Sequence, residues 1–209
     1  METTKSLEKL AAQGNADAAF RLGYRRAFGR KRGKPADWRV AAKWWKQAAA
    51  AGHARAEFYL GACFEYGKGT RKDVPRAVVF YHLAARHGHA AAQYNVAISY
   101  RKGDGEVKDM ALAVAYYKES AAQGDAAAQR DLGVCYHEGQ GVEQDDEMAA
   151  KWYRLAAAQG DALAQYNLGL CYKCGVGVKK NRGHAARWFR KAAEVGHRKA
   201  RRQLIEIGC

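Results

Sequence analysis

The sequence contains little proline, no long apolar run and no obvious set of paired cysteines. Its two prolines, Pro35 and Pro75, both fall in predicted connections between helices. No run of about eighteen apolar residues exists that could cross a membrane, and the first residues lack the apolar stretch of a signal peptide. Together these absences predict a cytoplasmic protein with no membrane partner.

The sequence does contain a repeat of 36 residues. The stretch QGDAAAQRDLGVCYHEGQGV, residues 123–142, returns as QGDALAQYNLGLCYKCGVGV at residues 159–178. A fixed period of this length is typical of solenoids and arrays. The 36-residue spacing is kept by Gly52, Gly88, Gly124, Gly160 and Gly196, and Gly14 precedes Gly52 by 38 residues.

Each repeat predicts two antiparallel helices. The residue after the leading glycine is Asn, Asp or His; Asn and Asp are good helix N-caps, whereas His is poorer and predicts a less firm start. A Gly-x-Gly pair ends the first helix, and an Asp or Asn caps the second, which carries an aromatic pair such as Trp44-Trp45. A glycine also recurs at the tenth position of the repeat, inside the first helix, as at Gly61 and Gly169. Because glycine there costs roughly 0.5–1 kcal/mol relative to alanine, we expect another helix to press against it.

These features resemble the Sel1-like repeat, a relative of the tetratricopeptide repeat: a leucine-glycine step, a tyrosine three residues later, Gly-x-Gly-Val, a capping Asp and an aromatic pair followed by Ala-Ala. The resemblance implies an all-α fold, a right-handed α-solenoid of antiparallel helix hairpins. We expect residues 1–209 to form one repeat domain, with an N-terminal capping helix containing Leu7 and Leu10, and with Ile205 sealing the other end. The expected segments are a cap at 1–13, repeats at 14–51, 52–87, 88–123, 124–159 and 160–195, and a half repeat at 196–209.

The motifs that could indicate catalysis or metal binding have structural explanations. Cys63, Cys135 and Cys171 share one repeat position and are predicted to be buried thiols, not disulfides. Cys174 adds a second thiol near Cys171, but a structural zinc site needs four ligands, and the glycine loop lacks the Gly-Lys-Ser/Thr ending of a phosphate loop. We therefore expect no metal, no cofactor and no enzymatic activity, with Cys209 as the most reactive thiol.

Charge is distributed unevenly along the chain. The formal net charge is +15, and the first repeat alone carries ten Lys or Arg against two Asp or Glu, whereas the fourth carries three against seven. The first repeat also has a longer loop with four cations, Arg30, Lys31, Arg32 and Lys34. Such basic segments should attract an acidic partner and speed its association.

By analogy with tetratricopeptide repeats, the seventh, eleventh and fourteenth positions of each repeat should face the concave groove of the solenoid. The alternative is that several of these rings pack between repeats instead. The predicted groove residues are Phe20, Tyr24, Phe58, Glu65, Tyr94, Ile98, Arg101, Arg130, Val134, His137, Tyr166, Leu170 and Lys173.

The main functional prediction is a non-enzymatic scaffold or adaptor that binds a protein or peptide, in particular an acidic one, on its concave face. A more specific version is that it neutralises a toxin or acts as a chaperone, as the resemblance to some bacterial Sel1-like proteins implies. Nucleic-acid binding through the basic terminal repeats is the alternative, although the acidic fourth repeat interrupts a continuous phosphate track. Hydrolase activity is a remote alternative that rests on family analogy alone.

Overall fold

The computed structural model describes residues 3–29 and 36–208. Within these ranges all regular structure is α-helical and there is no strand, so the predicted all-α fold class of antiparallel helix hairpins is confirmed. The helices are α1 (Thr4–Ala12), α2 (Ala16–Phe28), α3 (Trp38–Ala50), α4 (Ala54–Tyr66), α5 (Val74–Arg86), α6 (Ala90–Lys102), α7 (Met110–Ala122), α8 (Ala126–Glu138), α9 (Asp146–Ala158), α10 (Ala162–Cys174), α11 (Arg182–Glu194) and α12 (Arg198–Glu206). No helix in the described ranges is both long and apolar enough to cross a membrane.

The helices begin at the predicted capping residues. Asp125 and Asp161 accept the backbone N–H three residues later at 2.8 and 2.7 Å. The imidazole Nδ1 of His53, His89 and His197 accepts the equivalent bond at 3.2, 3.3 and 3.2 Å. The longer bonds agree with the expectation that histidine is the weaker cap.

The Gly-x-Gly loops end the first helices as predicted. Gly175 caps α10 with φ of +79°, a left-handed conformation that glycine adopts without strain. Two residues later, a Cβ on Gly177 would overlap the backbone oxygen of Asp146, so the loop also packs tightly against the start of α9. Both glycines therefore adopt a left-handed backbone angle, and at Gly177 the packing also leaves no room for a side chain.

The chain contains two compact units, Met1–Lys108 and Asp109–Cys209. In the first unit, each helix from α1 to α6 packs against the next, around a core that includes Leu7, Leu22, Trp45 and Leu60. In the second, α7 to α12 pack in the same sequential way. Its core includes Tyr117, Leu132, Tyr153, Leu168 and Phe189.

The prediction that Ile205 seals the C-terminal end is wrong. Its side chain is 77% exposed, whereas Ile207 is only 7% exposed and packs in the cluster that contains Phe189. Ile207 lies just beyond the last turn of α12, and Arg182 of α11 donates hydrogen bonds to its carbonyl oxygen. Because the chain is held against α11 at this point, Ile207 takes the buried place.

Candidate functional site

The seventh position of the repeat contacts the N-cap of the next repeat. Phe20 stacks on His53 with ring centroids 4.7 Å apart, and Phe58 stacks on His89 at 4.5 Å. In the second unit, Tyr166 contacts His197 at 4.7 Å, and Arg130 forms a 2.8 Å ion pair with Asp161. These four predicted groove residues therefore also connect neighbouring repeats. The sequence carries a partial signal, since an aromatic residue accompanies each of these histidine caps and Arg130 accompanies an aspartate cap, although Tyr94 also precedes an aspartate cap, Asp125.

In the first unit, an aromatic surface lies at the contact of α2 with α4. Phe20 is 3% exposed and the guanidinium of Arg55 lies 4.6 Å from its ring centroid. Tyr24 remains 41% exposed and contacts Phe28 on its own helix at 4.8 Å and Tyr59 on α4 at 6.0 Å. Of the aromatic groove residues predicted on α2, Tyr24 is thus the one available to a ligand.

A cavity of about 590 Å³ in the first unit brings together Glu65, Tyr94 and Ile98, three of the predicted groove residues. Tyr81 of α5 also lines it and donates a hydrogen bond from its hydroxyl to the Glu65 carboxylate at 2.5 Å. Burial, and then the neighbouring Glu65 carboxylate, raise the pKa of Tyr81 well above its usual value. The remaining lining residues are Tyr66, Lys72, Val74, Ala77, Val78, Asn95, Ser99, Lys102 and Asp104.

The second unit has a cavity of about 430 Å³ at the equivalent place, 72 residues along the chain. It brings together the predicted residues Val134, His137 and Leu170. The His137 Nδ1 lies 2.6 Å from the Asp146 carboxylate, which fixes the ring at the rim. The other lining residues are Glu138, Tyr153, Asn167, Cys171, Cys174 and Val176.

Sequence reasoning missed the eighth position of the repeat and the second residue of the aromatic pair. Asn95 and Asn167 occupy the eighth position in the two cavities, and Tyr81 and Tyr153 are the matching aromatic residues. The recurrence of asparagine with tyrosine, 72 residues apart, is a signal that could have identified them.

The other predicted groove residues lie apart from the two cavities. Arg101 is half-buried on α6 and lines neither of them. Lys173 donates to Gln203 at 2.6 Å and to Glu206 at 2.8 Å, so it is engaged with α12. Its hydrogen bond lowers the pKa of the Glu206 carboxyl. The predicted basic residues Arg30, Lys31, Arg32 and Lys34 lie outside the described residues.

The predicted state of the repeat-position thiols is confirmed. Cys63, Cys135 and Cys171 are buried and no disulfide links the described cysteines. Burial raises the pKa of both Cys63 and Cys171 to about 11, so these thiols are poor nucleophiles at neutral pH. Cys174 is exposed, and Cys209 lies outside the described part of the chain.

The comparison with protein families agrees with the helix-hairpin geometry. The family model described as Sel1 repeat matches five consecutive segments, at residues 16–53, 54–89, 90–125, 126–161 and 162–197. The chain belongs to the Sel1 repeat family. Sel1 repeat proteins are generally scaffolds for protein–protein interaction.

Solved structures of Sel1 repeat proteins share the fold. A protective antigen from uropathogenic Escherichia coli strains, described as displaying an SLR fold, is 34% identical with a TM-score of 0.91, over 99% of this chain and 44% of that one. The present chain thus spans less than half of that antigen. A Sel1 repeat protein from Oxalobacter formigenes is 30% identical with a TM-score of 0.87, over 99% and 85% of the two chains.

An immunity protein from Pseudomonas aeruginosa is 24% identical with a TM-score of 0.54, over 88% of this chain and 67% of that one, and this likeness shows the fold alone. A comparison with curated proteins gives no significant match.

Proposed function

We propose that this chain is a non-enzymatic scaffold that holds a segment of a protein partner on its first-helix face. By this face we mean the side of the first helices that carries the seventh, eighth, eleventh and fourteenth positions of each repeat. The observation that supports the proposal most is that a cavity opens on this face in each unit, at equivalent repeat positions. Family membership supports it too, since Sel1 repeat proteins bind proteins.

The lining of the cavities is suited to a peptide. Ile98 and Leu170 supply apolar surface at equivalent positions, and Asn95 and Asn167 place an amide beside each of them. An amide side chain can both donate and accept a hydrogen bond, as a peptide group does. Apolar contacts with a few placed polar groups are typical of surfaces that give both affinity and orientation.

The experiment that tests this proposal compares protein capture from the native cell by matched variants. Ile98→Lys and Leu170→Lys each place a charge on the first-helix face. Val79→Lys and Leu155→Lys make the same kind of change at exposed apolar residues of the second helices α5 and α9. Quantitative mass spectrometry should show a partner that is lost with the first two variants and retained with the controls. Equal capture by all four variants would contradict the proposal.

The preferred partner on this proposal has an acidic surface, because the first repeat carries a large excess of Lys and Arg. The more specific version, neutralisation of a toxin or a chaperone-like role, finds support in the use of this fold by an immunity protein. Replacing Arg30, Lys31, Arg32 and Lys34 by serine should slow association with the captured partner, and added salt should reduce the difference. Association that does not change with these charges or with salt would remove the acidic preference.

The rival hypothesis, nucleic-acid binding, has the net charge of +15 in its favour. It predicts sub-micromolar binding to random RNA or DNA at about 150 mM salt, whereas non-specific contacts alone usually reach only about 10⁻⁴–10⁻⁶ M. Fluorescence anisotropy separates the two, and on our proposal binding is weak at that salt concentration.

A further inference from the structure

The two cavities differ in the charged and polar side chains that line them. In the first unit, the Tyr81 hydroxyl donates to Glu65, and two cations of the chain, Lys72 and Lys102, line the same cavity. In the second unit His137 replaces Glu65 and is engaged with Asp146 instead, and Cys174 replaces Lys102. The first cavity therefore contains cations beside the Glu65 and Asp104 carboxylates, whereas no Lys or Arg lines the second.

Two polar side chains that line the second cavity have no hydrogen-bond partner among the described residues. Tyr153 is 3% exposed, lines the cavity, and its hydroxyl makes no hydrogen bond with any described residue. Asn167 is half-buried and lines the same cavity, and its side-chain amide also makes no hydrogen bond with a described residue. The Tyr153 hydroxyl oxygen is not among the fully buried unpaired atoms of the described residues, so it reaches the open space of the cavity. A hydroxyl that faces a cavity and has no partner within the chain offers a hydrogen-bonding place for a ligand atom.

The surroundings of the second cavity are negatively charged. The Glu138 carboxylate lies on its rim and forms no ion pair within the described part of the chain. The Asp146 carboxylate lies 2.6 Å from the His137 ring nitrogen, and no Lys or Arg lines the cavity. Burial first, and then nearby groups that include Glu138, raise the pKa of Tyr153. Burial disfavours a charge of either sign, so only the smaller contribution of Glu138 reflects the negative surroundings.

We infer that the cavity between α8 and α10 binds one lysine or arginine side chain of the protein partner. The apolar walls formed by Val134, Leu170 and Val176 fit the methylene stem, and the Glu138 carboxylate fits the cationic head. The Tyr153 hydroxyl and the Asn167 amide oxygen can accept further N–H groups. The inference rests on the proposed function, because it specifies which side chain of the partner binds at one part of the first-helix face.

The test uses small probes with the complete chain. N-acetyl-lysine amide, N-acetyl-arginine amide and the apolar N-acetyl-norleucine amide are titrated while the ¹H–¹⁵N resonances of the protein are recorded. The two cationic probes should shift the Asn167 side-chain amide and the Leu170 backbone amide, and the norleucine probe should bind several-fold more weakly. Glu138→Gln should weaken binding of the cationic probes about two- to fivefold, the range of an exposed ion pair.

The matched control is Glu143→Gln, which removes the same charge from the same repeat at a residue that does not line this cavity. It should leave probe binding unchanged. Equal binding of the norleucine probe, or equal effects of the two glutamine variants, would overturn the inference. If the probes fail while partner capture still depends on Ile98 and Leu170, the inference alone falls. If the probes bind while capture is indifferent to those residues, the proposed function falls.

Discussion

At the tenth position of the first helix, the space for a side chain is already occupied by a ring. A Cβ on Gly169 would lie 2.5 Å from Cε1 of Phe189, and one on Gly61 would lie 2.8 Å from the Tyr81 ring. In both cases the ring is the second residue of the aromatic pair on the second helix of the same repeat. The glycine thus lets the two helices of a hairpin approach closely, which outweighs its poor helix propensity.

Replacing Gly169 by alanine should therefore destabilise the protein. The added methyl group overpacks the hairpin, which typically costs about 1–3 kcal/mol, while the gain in helix propensity returns about 0.5–1 kcal/mol. We expect a net loss of about 1–2 kcal/mol, measured as a lower urea midpoint of the helical circular dichroism signal.

Gly183 provides a control, since it lies in the first turn of helix α11 and is exposed. A Cβ there would meet only the Asn181 side chain, at 3.4 Å. Gly183→Ala should leave stability unchanged or raise it by a few tenths of a kcal/mol. Similar losses in both variants would show that packing against Phe189 is not the reason for the glycine.

Residue-scale packing could be predicted where it repeats. The recurrence of the tenth glycine and of the aromatic pair predicted the close approach of the two helices. The C-terminal end could not be predicted in the same way, because it occurs once. Alignment with the repeat placed Ile205 at the buried position, whereas the Arg182 contact to the Ile207 carbonyl makes Ile207 the buried residue.

At the scale of helices, adjacent repeats are joined through the seventh position and the next N-cap. The second unit contains two versions of this contact, the Arg130–Asp161 ion pair and the Tyr166–His197 ring contact. Arg130 also pairs with Asp131 at 2.8 Å. If both residue pairs serve to join adjacent repeats, exchanging one pair for the other should preserve the contact.

A double-mutant cycle tests this exchange. Arg130→Tyr alone and Asp161→His alone should each destabilise the protein, because each leaves an unmatched partner at a part-buried contact. The double variant, which recreates the Tyr166–His197 arrangement, should be more stable than the sum of the single losses by about 1 kcal/mol. Additive losses in urea unfolding would mean that the two positions are not coupled.

The His89 N-cap predicts a dependence of stability on pH. Burial, and then the positive charge of Arg55, lower the pKa of His89 below its ordinary value of 6.5. The unfolded state therefore binds more protons below about pH 6.5, and the contribution of His89 to stability, complete above that pH, is lost as the pH falls. Protonation of Nδ1 would also remove the acceptor of the Ala92 N–H bond.

His89→Asp keeps an N-cap that does not change charge between pH 7 and pH 5. We expect the drop in urea midpoint between these two pH values to be smaller in this variant than in the parent protein. His184→Gln is the control, because His184 is exposed and is not a cap. An unchanged drop in His89→Asp would contradict the role of this imidazole.

Helix positions and caps could be predicted because spacing and capping chemistry are local. The use of the seventh position could not, since the analogy with tetratricopeptide repeats gave both a groove and a packing explanation for its rings. The deciding contact joins residues 31 to 33 apart, such as Phe58 with His89, and only the structure shows which cap each side chain meets.

On the scale of the whole chain, the two units offer cavities at the same repeat positions but with different chemistry. The first has its own cations, Lys72 and Lys102, and the second has the unpartnered Glu138. Net charge also changes from strongly positive in the first repeat to negative in the fourth. A partner that carries both acidic and basic groups fits this difference.

Hydrogen exchange of the full chain with and without its captured partner tests the central claim most directly. If the partner lies on the first-helix face, slower exchange on binding should be concentrated in peptides from the first helices, above all α4, α6, α8 and α10. The second helices α3, α7 and α11, which line neither cavity, should change little. Protection concentrated on those second helices, or absent from α6 and α10, would contradict the assignment of the first-helix face as the binding surface.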